Sequence, residues 1–384
     1  MDKFFKRTLV CAAVASAAMA GTANAAIELN GQAVQFYGQA AGSLQLNNPE
    51  VGDSNTVVEI ESRLGVRGTV EFDNFEPNFI YQMETGNAWN RGGNNDGLGS
   101  FGGRDTYFGF DFDGVGSIKF GRQLVAAYNY VDWPHSNPGL GNVFDWHNKI
   151  GASYQDRAND NIRFDSATWG GFNFQATLSG MDATNEAMVY SLGTSFTREM
   201  FSVHAGYYGQ SEYDAKVAAT GASWGFNKDL ATCAAIADAD KAGSDQCYGV
   251  IDATEASTKK AGDVSYAIVG GSLYLGDLTL TAAYKHMKND LVGKKNDQDA
   301  YSATAQYVID GKWVLKGGYA ATSKTANGGY DDSATAITAR LGYLLPSSYL
   351  YMDIRNYDMP AEEAGKDEKA GDATNILLGA EYYF

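Results

Sequence analysis

From residue 34 onward one pattern recurs sixteen times. A segment of about 8 to 15 residues alternates apolar and polar side chains, then a connection follows. The segments lie near 34–47, 56–72, 78–89, 104–113, 117–124, 158–168, 172–181, 189–198, 200–213, 263–275, 277–290, 298–310, 312–324, 332–346, 348–359 and 373–384. In the second, Val58, Ile60, Leu64, Val66, Val70 and Phe72 share one face, while Glu59, Glu61, Arg63, Arg67, Thr69 and Glu71 share the other. In the fifteenth, Leu350, Met352 and Ile354 oppose Tyr351, Asp353 and Arg355.

A soluble sandwich has the same period, so the connections decide. Short turns fall at 113–117, 170–171, 198–199, 276–277, 310–311 and 346–348, with a slightly longer one at 73–77. Long polar loops fall between them, near 48–55, 86–103, 125–157, 182–188, 214–262, 291–297, 325–331 and 360–372. Strict short–long alternation with an even strand count predicts an all-β transmembrane barrel of about sixteen antiparallel strands. The sequence has no run of 18 apolar residues to cross as a helix. Its 24 Tyr, 45 Gly and only 6 Pro suit long strands and turns. The last segment carries Phe384, Tyr382, Ala380, Leu378 and Ile376 on one face. Hydrocarbon tolerates no open sheet edge, so this strand must pair with the first, at 34–46.

Residues 1–25 predict a signal peptide: Lys3, Lys6 and Arg7, an apolar run from Thr8 to Ala20, and Ala23-Asn24-Ala25 as the cleavage pattern. Residues 26–384 are then the exported outer-membrane barrel. The leader takes a net +2 from a chain of −17, leaving −19. Such acidity argues against nucleic acid as a partner. Two cysteines remain after the leader, Cys233 and Cys247, and an exported chain predicts that they pair as a disulfide.

Several strings resemble the trimeric general diffusion porins of Gram-negative outer membranes: "VQFYGQA" (34–40), "SRLGVRG" (62–68), "RDTYFGFDFDGVGSIKFGRQ" (104–123), "NIRFDS" (161–166) and the terminal "EYYF" (381–384). The resemblance spans the chain after residue 25. It implies a homotrimer, a third extracellular loop folded into the lumen, and a pore constriction between wall arginines and loop carboxylates. By motif match Arg63, Arg104 and Arg163 take the wall positions, with Arg67 beside them. Asp132 and Asp145 are the loop's carboxylates, within 125–148. Parity supports Arg63, Arg67 and Arg163 on the polar face. Arg104 shares parity with Phe108, Phe110 and Phe112, so a bulge or a protein-covered wall is needed to turn it inward. The resemblance also makes Phe384 and Tyr382 the signal read by the barrel assembly machinery. Two positions depart from the family: Gln39 replaces a first-strand lysine, and Pro138-Gly139-Leu140-Gly141-Asn142 lacks the usual loop glutamate.

Other motifs carry less. "GASWG" (221–225) has the G-x-S-x-G spacing, but it sits in a long loop of an all-strand chain. "GLGSFG" (97–102) precedes a strand rather than a helix. His135, His147, His204 and His286 show no metal-ligand spacing, and neither a metal nor a cofactor is expected. Acidic runs at 238–240, 362–363 and 367–368 are solvated loop tips, or sites for divalent cations bridging lipopolysaccharide. Tyr128, Tyr130, Trp133, Phe144 and Trp146 pack the third loop on the wall, or form a sugar-stacking slide.

The expected function is a water-filled channel for passive diffusion of small hydrophilic solutes and ions, mildly cation-preferring, and not an enzyme. The alternatives are a channel selective for a sugar or peptide, and a surface adhesin or receptor using the long fifth loop.

Overall fold

The computed structural model describes residues 26–86, 100–132, 135, 143–219, 223–226, 248–251, 256–328, 330–360 and 371–384. The expected signal peptide, Cys233 with Cys247, Trp133, the Pro138–Asn142 stretch and the acidic runs at 238–240, 362–363 and 367–368 lie outside them.

Sixteen antiparallel staves form one closed sheet. They are β1 (Gln35–Pro49), β2 (Asn55–Ile60 continuing as Arg63–Phe72), β3 (Phe75–Thr85), β4 (Phe101–Phe112), β5 (Gly116–Leu124), β6 (Arg157–Ser166), β7 (Phe172–Ser179) and β8 (Val189–Thr197). Then follow β9 (Phe201–Gln210), β10 (Val264–Leu275), β11 (Leu278–Asn289), β12 (Asn296–Ile309), β13 (Trp313–Thr322), β14 (Ala334–Leu345), β15 (Ser348–Asp358) and β16 (Ala373–Tyr383). All sixteen alternating segments are strands. The interruption in β2 costs no register: both pieces pair with β1, through Gly42–Ile60 and Gln39–Arg63. At the gap the Ser62 hydroxyl receives the Ala41 N–H at 3.1 Å.

The barrel closes as the chain's last strand requires. β16 pairs with β1 from Gln39–Tyr383 to Pro49–Ala373. Beyond it Gly38 N–H donates to the Phe384 carbonyl at 2.8 Å, and Phe384 N–H returns to the Gly38 carbonyl at 3.1 Å. Every strand therefore has two neighbours, the only arrangement that leaves no unpaired backbone facing hydrocarbon. The tight turns are chemically specified. Asp310 and Gly311, between β12 and β13, take φ of 51° and 65°, the left-handed pair that matches a twisted hairpin.

Burial is inverted relative to a soluble protein. Leu64, Phe108, Val203, Leu315, Ile337 and Leu378 are exposed on the outer wall, while Thr177, Ser191, Lys285, Gln298, Arg340 and Asp353 are buried inside. The expected alternation holds along most strands, with register shifts at Val70/Phe72, at Gly121/Gln123 and, most marked, where β4 meets β3. Met83 pairs with Thr106 but Thr85 pairs with Phe101. β4 thus advances five residues while β3 advances two. The odd excess reverses the facing, and Arg104 turns into the lumen, where the bulge resolves its parity conflict.

Residues Glu212–Gly262, the expected fifth loop, form a second compact unit. It is not plain loop. Tyr213–Val217 pairs with Ser257–Ala261, and Ser223–Phe226 pairs with Tyr248–Ile251, both antiparallel. The serine of "GASWG" is thus followed by strand, not by the helix that a nucleophile elbow requires.

Gly65 marks a packing limit in the barrel wall, because a Cβ there would overlap the Tyr37 ring. Gly65→Val should displace Tyr37 and cost about 1–3 kcal/mol by overpacking. The temperature at which the folded band on a gel converts to the unfolded one should fall; an unchanged conversion temperature would contradict this packing.

Candidate functional site: a loop-narrowed lumen

Of the chain between β5 and β6, the described residues 125–132, 135 and 143–156 lie along the inner face of strands β7 to β13. Val125, Ala126 and Ala127 are fully buried. Their amides are satisfied by inward hydroxyls: Ala126 N–H donates to Thr177 at 3.1 Å and Ala127 N–H to Ser191 at 2.9 Å. One turn of helix follows, α1 (Tyr128–Val131), then a second, α2 (Val143–Trp146). The His147 ring meets the Thr322 hydroxyl of β13 at 2.7 Å, Lys149 N–H donates to Gln298 of β12 at 3.0 Å, and Asn289 of β11 donates to the Ile150 carbonyl at 3.1 Å. On the way out, Tyr154 donates to the Ser265 carbonyl of β10 at 3.0 Å, and Gln155 N–H donates to Tyr208 of β9 at 3.1 Å. An irregular backbone at membrane depth is tolerated because it is buried in protein and lines a cavity.

Alternation along the strands explains why these partners exist. Thr177, Ser191, Tyr208, Lys285 and Gln298 occupy the polar positions between outward Leu178, Leu192, Tyr207 and Tyr284. The aromatic residues of the loop divide between two environments. Phe144 is fully buried, and Tyr130 stacks on His204 of β9 with ring centroids 4.9 Å apart. Trp146 remains 54% exposed. Packing against the wall thus accounts for Phe144 and Tyr130 but not for Trp146.

The four wall arginines sit on β2, β4 and β6, strands that the loop does not line. Arg104 donates to Glu84 of β3 at 2.5 Å, and the second Glu84 oxygen accepts from Tyr37 at 2.9 Å. Arg163 donates to Asp165 at 2.8 Å, and Lys119 of β5 reaches the same carboxylate at 2.7 Å. Arg67 donates to Gln35 at 3.2 Å and lies over the Tyr37 ring at 4.8 Å. Arg63 forms no ion pair among the described residues, and its cross-strand partner is the departing Gln39. On the loop side, Asp132 is within electrostatic reach of Arg104. Asp145 accepts from Tyr128 at 3.3 Å. Burial, then the neighbouring Asp132, pushes the Asp145 carboxyl up to about 7.

Several pairings were not visible in the spacing of the sequence. Glu84 and Asp165 compensate wall arginines from the same wall. Arg157 on β6 pairs with Asp105 on β4 at 2.7 Å. His135 and His204, 69 residues apart, bring their Nε2 atoms within 2.7 Å. Burial first, and then His204, push the His135 ring down to about 3, so it is neutral at neutral pH and the two rings share one N–H···N bond. On β14 and β15, Arg340 grips Asp353 through two hydrogen bonds of 2.6 and 2.7 Å, and Arg355 adds a third at 2.8 Å. Strand parity would have placed all of these but the loop residue His135 on the lumen face, but only the barrel's register decides which of them meet.

A closed barrel with an apolar outer wall, a charged lumen and an inward loop defines a water-filled channel of the outer membrane. The chain belongs to the Gram-negative porin family, whose model matches residues 11–358. Chitoporin of Vibrio furnissii is 35% identical over 343 residues, covering 84% of each protein. Among solved structures, the anion-selective porin from Comamonas acidovorans superposes with a TM-score of 0.64 at 17% identity, over 92% of this chain and 99% of that one. OmpT of Vibrio cholerae in its trimer form gives 0.62 at 18%, over 91% and 99%, and OmpF of Salmonella typhi gives 0.62 at 16%, over 94% and 100%. The structural likenesses establish the fold, and the family establishes a diffusion channel.

Proposed function

We propose that this channel passes small hydrophilic solutes and ions non-specifically, with mild cation preference set where residues 125–156 face the wall of β2, β4 and β6. The observation that carries this is the pairing of the wall cations. Arg104 is compensated by Glu84, Arg163 and Lys119 share Asp165, and Arg157 is held by Asp105. Arg63 forms no ion pair among the described residues, Asp132 acts electrostatically on Arg104, and Glu59, Glu61 and Glu381 add negative charge along the lumen. Loop charges beyond about 10 Å are screened at moderate salt, so these near groups dominate.

A unit charge about 7 Å from a passing ion in water is worth roughly 0.6 kcal/mol, a nearly threefold change in local monovalent ion concentration. Neutralising Asp132 and Asp145 together should move the reversal potential in a planar bilayer toward anions by at least that factor, and Arg63→Ser should move it toward cations. A wild-type channel that is anion-selective at low salt would overturn the assignment. Because the Asp145 carboxyl lies near 7, it is charged above that pH and neutral below. Cation preference should therefore weaken as pH falls from 8 to 6, and Asp145→Asn should remove most of that dependence.

A second reading is favoured by the exposed Trp146 and by the chitoporin relative: a channel that also binds a sugar chain on the loop. It predicts that chitooligosaccharides interrupt single-channel current and that Trp146→Ala abolishes the block. Uninterrupted current in the wild type leaves only the non-specific pore. We also propose a homotrimer, as in the trimer form of OmpT, with Gly38, Ala40 and Gly42 of β1 permitting close approach between walls. A monomeric mass in mild detergent would exclude it.

A further inference from the structure

Lys285 of β11 is 3% exposed and faces inward, between outward Tyr284 and the buried loop. Its ammonium donates to the carbonyls of Phe144, at 2.5 Å, and Asp145, at 3.3 Å, and lies 5.1 Å from the centre of the Phe144 ring. These carbonyls belong to α2, whose single turn can satisfy few of its own acceptors. The site is therefore a cation from the barrel wall seated on the carbonyl end of the turn that bears Asp145 and Trp146.

We propose that Lys285 is the positioning residue that holds the constriction loop in its narrow setting. Three features support this. Among the described residues, the loop's hydrogen bonds to Thr177, Ser191, Tyr208, Ser265, Asn289, Gln298 and Thr322 are neutral, whereas this one is charge-assisted and about twice as strong as those. Its position is central: on β11, between the entry contacts on β7 and β8 and the β12–β13 contacts of His147 and Lys149. Its target is also specific, because displacing α2 moves Asp145, a proposed selectivity carboxylate, and Trp146 together. The groups facing the ammonium are the two carbonyls, the Phe144 ring, and the Asp145 and Asp156 carboxylates, which act on it electrostatically.

The inference rests on residues 125–156 forming the constriction, and its test separates the two. Lys285→Met, Lys285→Gln and Lys285→Arg channels are recorded singly in a planar bilayer. Losing a charged hydrogen bond corresponds to roughly a tenfold or larger rise in the detached fraction of the loop. Open-state current noise and the frequency of spontaneous closure should rise by about that factor in Met, less in Gln, and stay near wild type in Arg. A merely structural role in the wall would not produce that order or the rescue by arginine. If the methionine variant fails to assemble, the glutamine and arginine pair still decides. Equal noise in wild type, Gln and Arg overturns the proposal, and so does equal disturbance in Gln and Arg. If noise is unchanged while the Asp132, Asp145 and Arg63 variants still shift selectivity, the constriction stands and only the role of Lys285 falls.

Discussion

The structure depends on one constraint: no backbone N–H or C=O facing hydrocarbon is left unpaired. An unsatisfied peptide group in lipid costs several kcal/mol, and a sixteen-stranded sheet with two free edges would expose a row of them. The pairing of β16 with β1 removes both edges. It is completed beyond the last strand residue by the reciprocal bonds between Gly38 and Phe384. With the edges gone, strand alternation becomes a partition between two solvents. Apolar residues take the lipid side, and the polar set must line whatever is enclosed.

That enclosed set does two different jobs. Over β7 to β13 it acts as an internal scaffold. Hydroxyls, amides and one lysine satisfy the backbone of a loop that would otherwise bury unpaired polar groups. Over β1 to β6 and β14 to β16 it remains charged. There several cations are matched on their own wall, Arg104 by Glu84, Arg163 by Asp165 and Arg340 by Asp353, while Arg63 forms no ion pair among the described residues. An ion passing the loop therefore meets a field made of differences between closely spaced pairs. Counting arginines along the sequence overstates that field.

The course of β4 shows where local pattern yields to tertiary geometry. Its phenylalanines imply that Arg104 points at lipid, which a guanidinium cannot tolerate cheaply. The barrel resolves the conflict with extra residues on one strand, and the arginine finds a carboxylate on β3. The histidines make the same point. Their sequence spacing is uninformative, yet His135 on the loop and His204 on β9 end in direct contact because the loop follows the wall.

What the amino-acid sequence determined alone is the barrel: the strand number, the short and long connections, the closing pair and the facing of Arg63, Arg67 and Arg163. Period-2 alternation and turn chemistry are local, and the bilayer converts them into a global rule. Only the tertiary structure decided which lumen groups meet. Side-chain parity places Glu84, Lys285, Gln298 and Asp353 inside, but their partners lie strands away and depend on register, on the bulge in β4 and on the path of residues 125–156. Charge compensation is a property of distances between strands, and no spacing along one strand encodes it.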